Sequence, residues 1–566
     1  MKIKRLMIDN YRSLKRVQLE DLNELTIFIG INSSGKSNIL EAIFLFFNEF
    51  DPSLQRSIGA IDEYIWFDRV PDDPIQFKVD LELDKAELAA LLPTEVFQQI
   101  ETKDQNLFEI VRTITGPPTS AIWHTPEIKV NDISLISNEK FVFQPKTKGT
   151  VGAAVSSTKT PPTDFSGAIL QKLSQRLKGK FKLISAARNT PTVPTGISMR
   201  STFLQSQILS DLTILGQPVG RPRNEERQWI KIDENFRRTC RNISDLRIMG
   251  SRVTIREKES DMYFPIEATG GGYQEMIGLI CQLLKEDGVI FGVEEPELHL
   301  HPELARQFLS VVKELSSKNQ IFVTTHSTAF VDQADLQNTW IIRKVKKETR
   351  AFRMKEPGEL KVILYELGLR PSDIFYANGI VFAEGQTEKV VLPTWSAKMG
   401  IDFDRLGISV VPTNGKASGK YHLTVWTDAA ENTGIPYYLI LDKDAQDEAG
   451  KLRAKLVPEE NLFLLKKGAI EEYYPKERII QAIEREYSIK LSEEDKRLDP
   501  PMDKSIEKLI RAKVRDPTGW KVAIGKAVAE SMSLDEIDDE IKRIFERIRT
   551  KHEQIFSPYS ILARFQ

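Results

Sequence analysis

The chain has 566 residues, too many for one hydrophobic core, so two to four domains are expected. At 41% hydrophobic and 28% charged, with a formal net charge of −2, it has a globular, water-soluble composition and no global basic field, so any nucleic-acid contact must come from local patches. Cys240 and Cys281, its 2 cysteines, exclude a disulfide framework or a cysteine zinc site, and no apolar run has membrane-spanning length or signal-peptide form, so a cytoplasmic protein is expected.

The first elements are strands at Ile3–Ile8, Val17–Leu19 and Leu25–Ile29. The last runs into Gly30-Ile31-Asn32-Ser33-Ser34-Gly35-Lys36-Ser37 and then an apolar helix from Asn38. Strand, glycine-rich loop, Lys-Ser and helix form the phosphate-cradling loop of nucleoside triphosphatases. Backbone N–H groups of Asn32, Ser33, Ser34 and Gly35 would face phosphate oxygens, Lys36 would reach the β- and γ-phosphates, and Ser37 would ligate magnesium. ATP is therefore an expected cofactor. Residues 75–145 read as further strands, 146–165 as a mobile loop, Phe181–Arg188 as a strand and 200–245 as helical, forming an insertion.

A glycine run, Gly270-Gly271-Gly272, then precedes a helix at Met276–Lys285. Gly288–Val293 reads as a buried strand ending in Glu294-Glu295, a Walker B arrangement in which Glu294 serves the magnesium shell and Glu295 orients the attacking water. A helix from Glu303 to Leu315 leads to a strand at Gln320–Thr325 and then His326. The basic cluster Arg343–Lys347 reads as part of a linker.

A second unit starts near residue 376. Buried strands at Gly379–Ala383 and Tyr437–Leu441 end in Glu384-Gly385-Gln386-Thr387-Glu388 and in Asp442-Lys443-Asp444. In a parallel sheet, ligands gather at the carboxyl ends of strands. Converging carboxylates at Glu384, Glu388, Asp442 and Asp444 would resist joint ionisation unless hard cations, Mg²⁺ or Mn²⁺, fill the site. Lys416, on a loop, could contact phosphate. The tail, Leu534–Lys551, reads as an amphipathic packing helix.

The start, Asn10-Tyr11-Arg12-Ser13-Leu14-Lys15 before the phosphate loop, resembles RecF, SMC and OLD (overcoming lysogenization defect) ATPases, whose fold is the ABC-type head. The Glu-Gly and Asp-x-Asp motifs resemble a Toprim domain of the OLD type. The implied fold class is α/β: a P-loop head over 1–345 with an inserted helical dimerisation element about 190–250, a linker over 346–375, and a Toprim α/β domain with helical C-terminal part over 376–566. The resemblance gives Arg12 a nucleotide contact, places Gly272 and Gln274 at the signature sequence capping a second copy's γ-phosphate, and makes His326 the γ-phosphate sensor. It adds Glu471 as a metal ligand, with Glu472 second, and Lys521, with Lys526 competing, as the lysine near the scissile phosphate.

The implied activity is metal-dependent cleavage of double-stranded DNA, controlled by the head, in a homodimer or homotetramer. The similarity extends to the nuclease subunit of Gabija-type phage defence, with a helicase or other defence protein an open further partner. The alternative is a PARIS-like ATPase that holds an effector, its Toprim domain not acting as a nuclease. A topoisomerase or primase lacks a tyrosine module or zinc ligands in this sequence.

Overall fold

The computed structural model describes residues 1–48, 67, 73–115, 122–137, 140–142, 164–184, 212, 214–216, 222–250, 252–269, 271–298, 300–332, 335–345, 347–353, 370, 372, 376–413, 435–443, 458–514 and 517–556. The chain divides into two compact units, Met1–Ala351 and Phe352–Gln566.

The first unit holds two large sheets around one helix. Lys2–Tyr11, Leu14–Leu19, Ile75–Asp84 and Gln105–Thr115 belong to an eight-stranded sheet in which they pair antiparallel. Alternation sets its inner face: Ile75, Phe77, Val79, Leu81 and Leu83 are all buried. The second sheet runs Phe181–Ile184, Ile290–Glu294, Gln320–Thr325, Leu25–Ile29, Thr339–Val345 and Glu348–Arg353. Its central strands Ile290–Glu294, Gln320–Thr325 and Leu25–Ile29 are wholly buried, as expected where both faces are covered, and the first five strands pair parallel. The helix Lys36–Asn48 buries Ile39, Leu40, Ile43, Phe46 and Phe47 in a core shared with residues of both sheets, including Phe28, Phe77, Phe108 and Phe322. Gln320 stitches the sheets further, donating to Ile3 O at 2.8 Å and accepting from Ile3 N at 2.7 Å.

Arg112 lies inside this core. It is buried, donates to Phe46 O at 2.8 Å near the helix end, and lies 3.8 Å from the Trp123 ring centroid. Arg112→Leu would leave a buried carbonyl without this donor and lose the ring contact. A loss of about 2–4 kcal/mol is expected, read by denaturant unfolding of the full chain. A variant as stable as the parent would show that the Arg112 contacts contribute nothing net.

The second unit is built on a four-stranded parallel sheet ordered Ile408–Pro412, Gly379–Ala383, Tyr437–Leu441, Leu462–Leu464. Gln386–Lys398, Lys476–Tyr487 and Trp520–Ser531 pack with it in one core that includes Trp395, Ile479 and Ile524. Asp539–Phe556 contributes Phe545 and Ile548 to the same core, as the amphipathic reading of the tail expects.

Several expectations change. Residues Ile243–Met249 form a strand of a small antiparallel sheet with Arg252–Glu257, so helix in the insertion is confined, among the described residues after 222, to Arg223–Thr239. β-branched and alternating residues at 243–249 favour the strand over the charged helix pattern before it. The Arg343–Val345 part of the basic cluster lies at the end of a sheet strand, and Glu348–Arg353 is the next strand, so 346–375 does not begin as a linker. The helix expected at Met276 starts at Gly271. The 146–163 part of the expected mobile loop, Arg188, Lys416 and Asp444 fall outside the described residues. Among the described residues no helix is long and apolar enough to cross a membrane.

Candidate functional sites in the two units

In the first unit, Leu25–Ile29 is wholly buried and delivers the chain to Gly30 at a sheet edge. A Cβ at Gly30 would lie 2.2 Å from Ile342 O, and at Gly35, with φ +104°, 2.1 Å from Thr349 Oγ1, so the loop's course demands glycine at both positions. Ser33 takes φ +62°, and Asn32, Ser33 and Ser37 are exposed while Ser34 is buried. Lys36 is buried and its Nζ donates to Gly30 O at 2.9 Å and Ile31 O at 3.1 Å. Burial pushes this ammonium down from its ordinary range, while the Glu295 and Glu297 carboxylates oppose the shift.

Across the sheet, Glu294 ends its strand buried, next to the strand that carries Thr324 and Thr325. Glu295 turns away with φ +40°, its N–H donating to Thr324 O at 2.9 Å. His326 Nδ1 lies 3.3 Å from Glu295 Oε1 and 3.8 Å from Glu297 Oε1. The parallel pairing of Leu25–Ile29 with Gln320–Thr325 aligns Ile29 with Thr325, so phosphate loop, Glu294, Glu295 and His326 share one edge.

Arg12, the expected nucleotide contact, lies against the helix that follows the phosphate loop. It has φ +52°, ion-pairs with Glu41 on the helix after the loop, and donates to Asn38 Oδ1 at 3.5 Å. Burial pushes the Glu41 carboxyl up, and Arg12 pulls it back. Gln274 donates to Thr269 O at 3.4 Å, and Gly272 lies in the first turn of Gly271–Leu284.

Four residues outside the sequence-derived set complete this edge. Asn38 Nδ2 donates to Ser13 Oγ at 2.7 Å, Ser13 and Thr349 share a hydroxyl bond of 2.7 Å, and Thr349 Oγ1 also contacts Ser34 O at 2.9 Å. Ser13 and Asn38 sit inside recognisable motifs. Thr349 has no local signal, lying 315 residues from Ser34 in sequence. Glu297 is the fourth, in the turn after Glu295.

In the second unit, Ala383 pairs with Ile440 and Leu441 with Leu464, so Glu384 and Asp442 emerge at carboxyl ends of neighbouring strands. Glu388 lies one turn into Gln386–Lys398 and is buried. Glu471, on the short turn Ile470–Tyr473, is buried too, with Lys521 Nζ 3.6 Å from its Oε1 and 3.9 Å from Asp503 Oδ2. Lys526, the competing lysine, lies 3.9 Å from Glu530 on its own helix. Glu472 accepts from Met502 N at 2.5 Å, an anchoring contact.

Tyr474 stands among these acids. Its hydroxyl is buried with no hydrogen-bond partner, and burial, then Glu471, Glu388 and Asp442, push it well above its ordinary range. A Cβ on Gly525 would lie 3.0 Å from that hydroxyl, so glycine lets Trp520–Ser531 close over it. Burial pushes Glu388 up to about 7, Glu471 and Glu384 adding to the shift.

This donor set, carboxylates with a buried hydroxyl and one lysine, fits a hard divalent cation. As arranged, however, no three His, Cys, Asp or Glu among the described residues form a ready-made ion cage. Of the expected ligands, Glu384, Glu388, Asp442 and Glu471 share one neighbourhood around Glu388 and Tyr474. Asp444, the fifth expected ligand, lies outside the described residues.

A pH effect follows. With Glu388 at about 7 against an ordinary 4.5, the folded chain holds a proton that the unfolded chain has already lost. Stability in chelator should therefore fall as pH rises from about 5 to 8, by on the order of 3 kcal/mol. Glu388→Gln should flatten the melting profile and added Mg²⁺ should oppose the loss at pH 8. An unchanged slope in the variant would reject the assignment.

A family profile described as "AAA ATPase domain" matches residues 1–111 and 97–331, and one described as "Overcoming lysogenization defect protein-like, TOPRIM domain" matches 375–444. The chain is 23% identical over 466 residues to "OLD nuclease" of Thermus scotoductus, covering 78% of this chain and 82% of the relative. It is 22% identical over 592 residues to "Endonuclease GajA" of Bacillus cereus strain VD045, covering 96% of this chain and 92% of the relative. Among solved structures, the SMC head domain from Thermotoga maritima matches at 15% identity and TM-score 0.36, covering 63% of this chain and all of that one, 100%.

Proposed function

This chain belongs to the AAA ATPase-domain family and carries an OLD-like TOPRIM domain, and from that premise we propose that it is a metal-dependent DNA endonuclease governed by a nucleotide-binding head. The observation that carries the reading is the placement of Glu384 and Asp442 at adjacent parallel strand ends, with Glu388, Glu471 and Lys521 beside them.

Glu384, Asp442 and Glu471 would hold Mg²⁺ or Mn²⁺, with Glu388 joining them on loss of its proton. The bound cation supplies positive charge to the attacking and leaving oxygens of the phosphodiester. Lys521, half exposed beside Glu471, is free to turn its ammonium toward the scissile phosphate. Buried Tyr474 and the close helix Trp520–Ser531 pack beside the buried Glu388 and Glu471.

In the head, Lys36 and the loop amides would bind the triphosphate of ATP, Glu294 would support its magnesium, and Glu295 would orient the attacking water. Gly272 and Gln274 would act across a second copy, so a homodimer or larger even assembly is the working form. A role in anti-phage defence rests on the resemblance to Gabija-type nuclease subunits.

The test is conversion of supercoiled plasmid by the full chain in Mg²⁺ or Mn²⁺, with and without ATP. Metal-dependent nicking or linearisation is expected, its rate changing with nucleotide. No conversion in either metal would overturn the nuclease reading in favour of an effector-holding ATPase.

A further inference from the structure

The run Glu294-Glu295-Pro296-Glu297 carries three acids, and nucleotide hydrolysis accounts for the first two. The third has the most organised surroundings. Glu297 is 9% exposed. Its Oε1 accepts from Thr325 Oγ1 at 2.5 Å, His326 N at 3.0 Å and Ser327 N at 3.2 Å. Its Oε2 is buried with no hydrogen-bond partner.

A buried carboxylate is costly unless several donors converge on it. Here the donors are three consecutive residues, Thr325 at the end of its strand and His326 and Ser327 in the turn that follows. Within that turn Ser327 N also bonds Thr325 Oγ1 at 3.0 Å, itself held by Glu297, and Ser327 O accepts from Phe330 N and Val331 N at 3.2 and 3.1 Å. Glu297 is also fixed from its own side, since Leu298 N donates to Glu295 O and Leu300 N to Glu297 O, at 3.0 and 2.9 Å. The carboxylate thus joins two rigid turns, one bearing Glu295 and the other His326. The 3.3 Å approach of His326 Nδ1 to Glu295 Oε1 is the product of that joint.

We propose that Glu297 is a positioning residue for ATP hydrolysis, fixing the His326 turn against Glu295 so that both face the γ-phosphate together. This inference rests on the head reading above. It assigns Glu297 no contact with nucleotide or metal; it acts through the three donors on Oε1. Positioning of this kind is expected in kcat, because misplaced groups lose the transition state while the phosphate loop still binds substrate.

Steady-state ATP hydrolysis by the full chain tests it, with melting temperatures measured in parallel. Glu297→Ala should lower kcat about 10- to 100-fold while KM for ATP moves less than about threefold. Glu297→Gln keeps an oxygen at the Oε1 position and should recover kcat to within about threefold of the parent. Thr325→Val, which removes one of the three donors, should give a smaller loss in the same direction. Equal collapse of the Gln and Ala variants would mean that the charge itself is required and would overturn the positioning role. An active Glu297→Ala beside an inactive Glu295→Gln would overturn this proposal alone. A parent without turnover, or an active Glu295→Gln, would overturn the head reading and the proposal with it.

Discussion

Glu384→Ala should abolish DNA cleavage, by ~10³-fold or more, while leaving ATP turnover measured without DNA within about twofold of the parent. The expected size follows from where Glu384 stands. It is the first residue past a wholly buried strand, and the Ala383–Ile440 pairing sets it beside the end of the strand that delivers Asp442. Nothing else on its strand can replace it, because the preceding residues Ile380, Val381, Phe382 and Ala383 are buried and apolar. Removing one carboxylate from a site with few anionic ligands weakens cation binding and displaces whatever cation remains. Glu384→Gln separates charge from shape, since it keeps the volume and loses the anion. Calorimetry with Mn²⁺ gives a second readout independent of turnover, and the affinity should fall in both variants. Cleavage surviving in Glu384→Ala would place the chemistry elsewhere on the chain.

Lys36→Ala is the second large effect: ATP affinity lower by ~10²-fold and turnover below detection. In the loop the Lys36 ammonium rests on Gly30 O and Ile31 O. Those two carbonyls hold it in the cradle and can release it to a phosphate, which is the stronger acceptor. Its burial would be unfavourable for a charge without partners, and the nearby Glu295 and Glu297 offset part of that cost. The folded state should survive the substitution, since alanine in the first turn of Lys36–Asn48 is a good helix former and the core below is made by Ile39, Leu40 and Ile43. Fluorescent-nucleotide binding gives the affinity and a coupled phosphate assay the rate. If nucleotide changes the cleavage rate of the parent, that response should vanish in Lys36→Ala. A variant that binds ATP as the parent does would remove the phosphate loop from the argument.

Much of both sites is local in sequence. A phosphate loop is a contiguous strand, turn and helix, and the chemistry of Gly30, Gly35 and Lys36 needs only that segment. The Walker B acids and the Toprim acids at Glu384 and Asp442 follow buried strands whose apolar runs can be read without the fold. Arg12 is a different case. Its motif was legible, but its pairing with Glu41 and Asn38, in the first two turns of Lys36–Asn48, needed the fold.

What the amino-acid order alone determined was the set of chemical groups and their strand-end positions: a triphosphate cradle, an acid pair and histidine behind it, and carboxylates on a second parallel sheet. Only the tertiary structure decided which distant groups complete them, because pairing register and core packing bring residues together irrespective of their separation along the chain. Thr349 reaches the phosphate loop because the sheet ends there, Tyr474 stands among acids because Gly525 lets a helix close over it, and Glu297 gathers the His326 turn because two strands lie in parallel register.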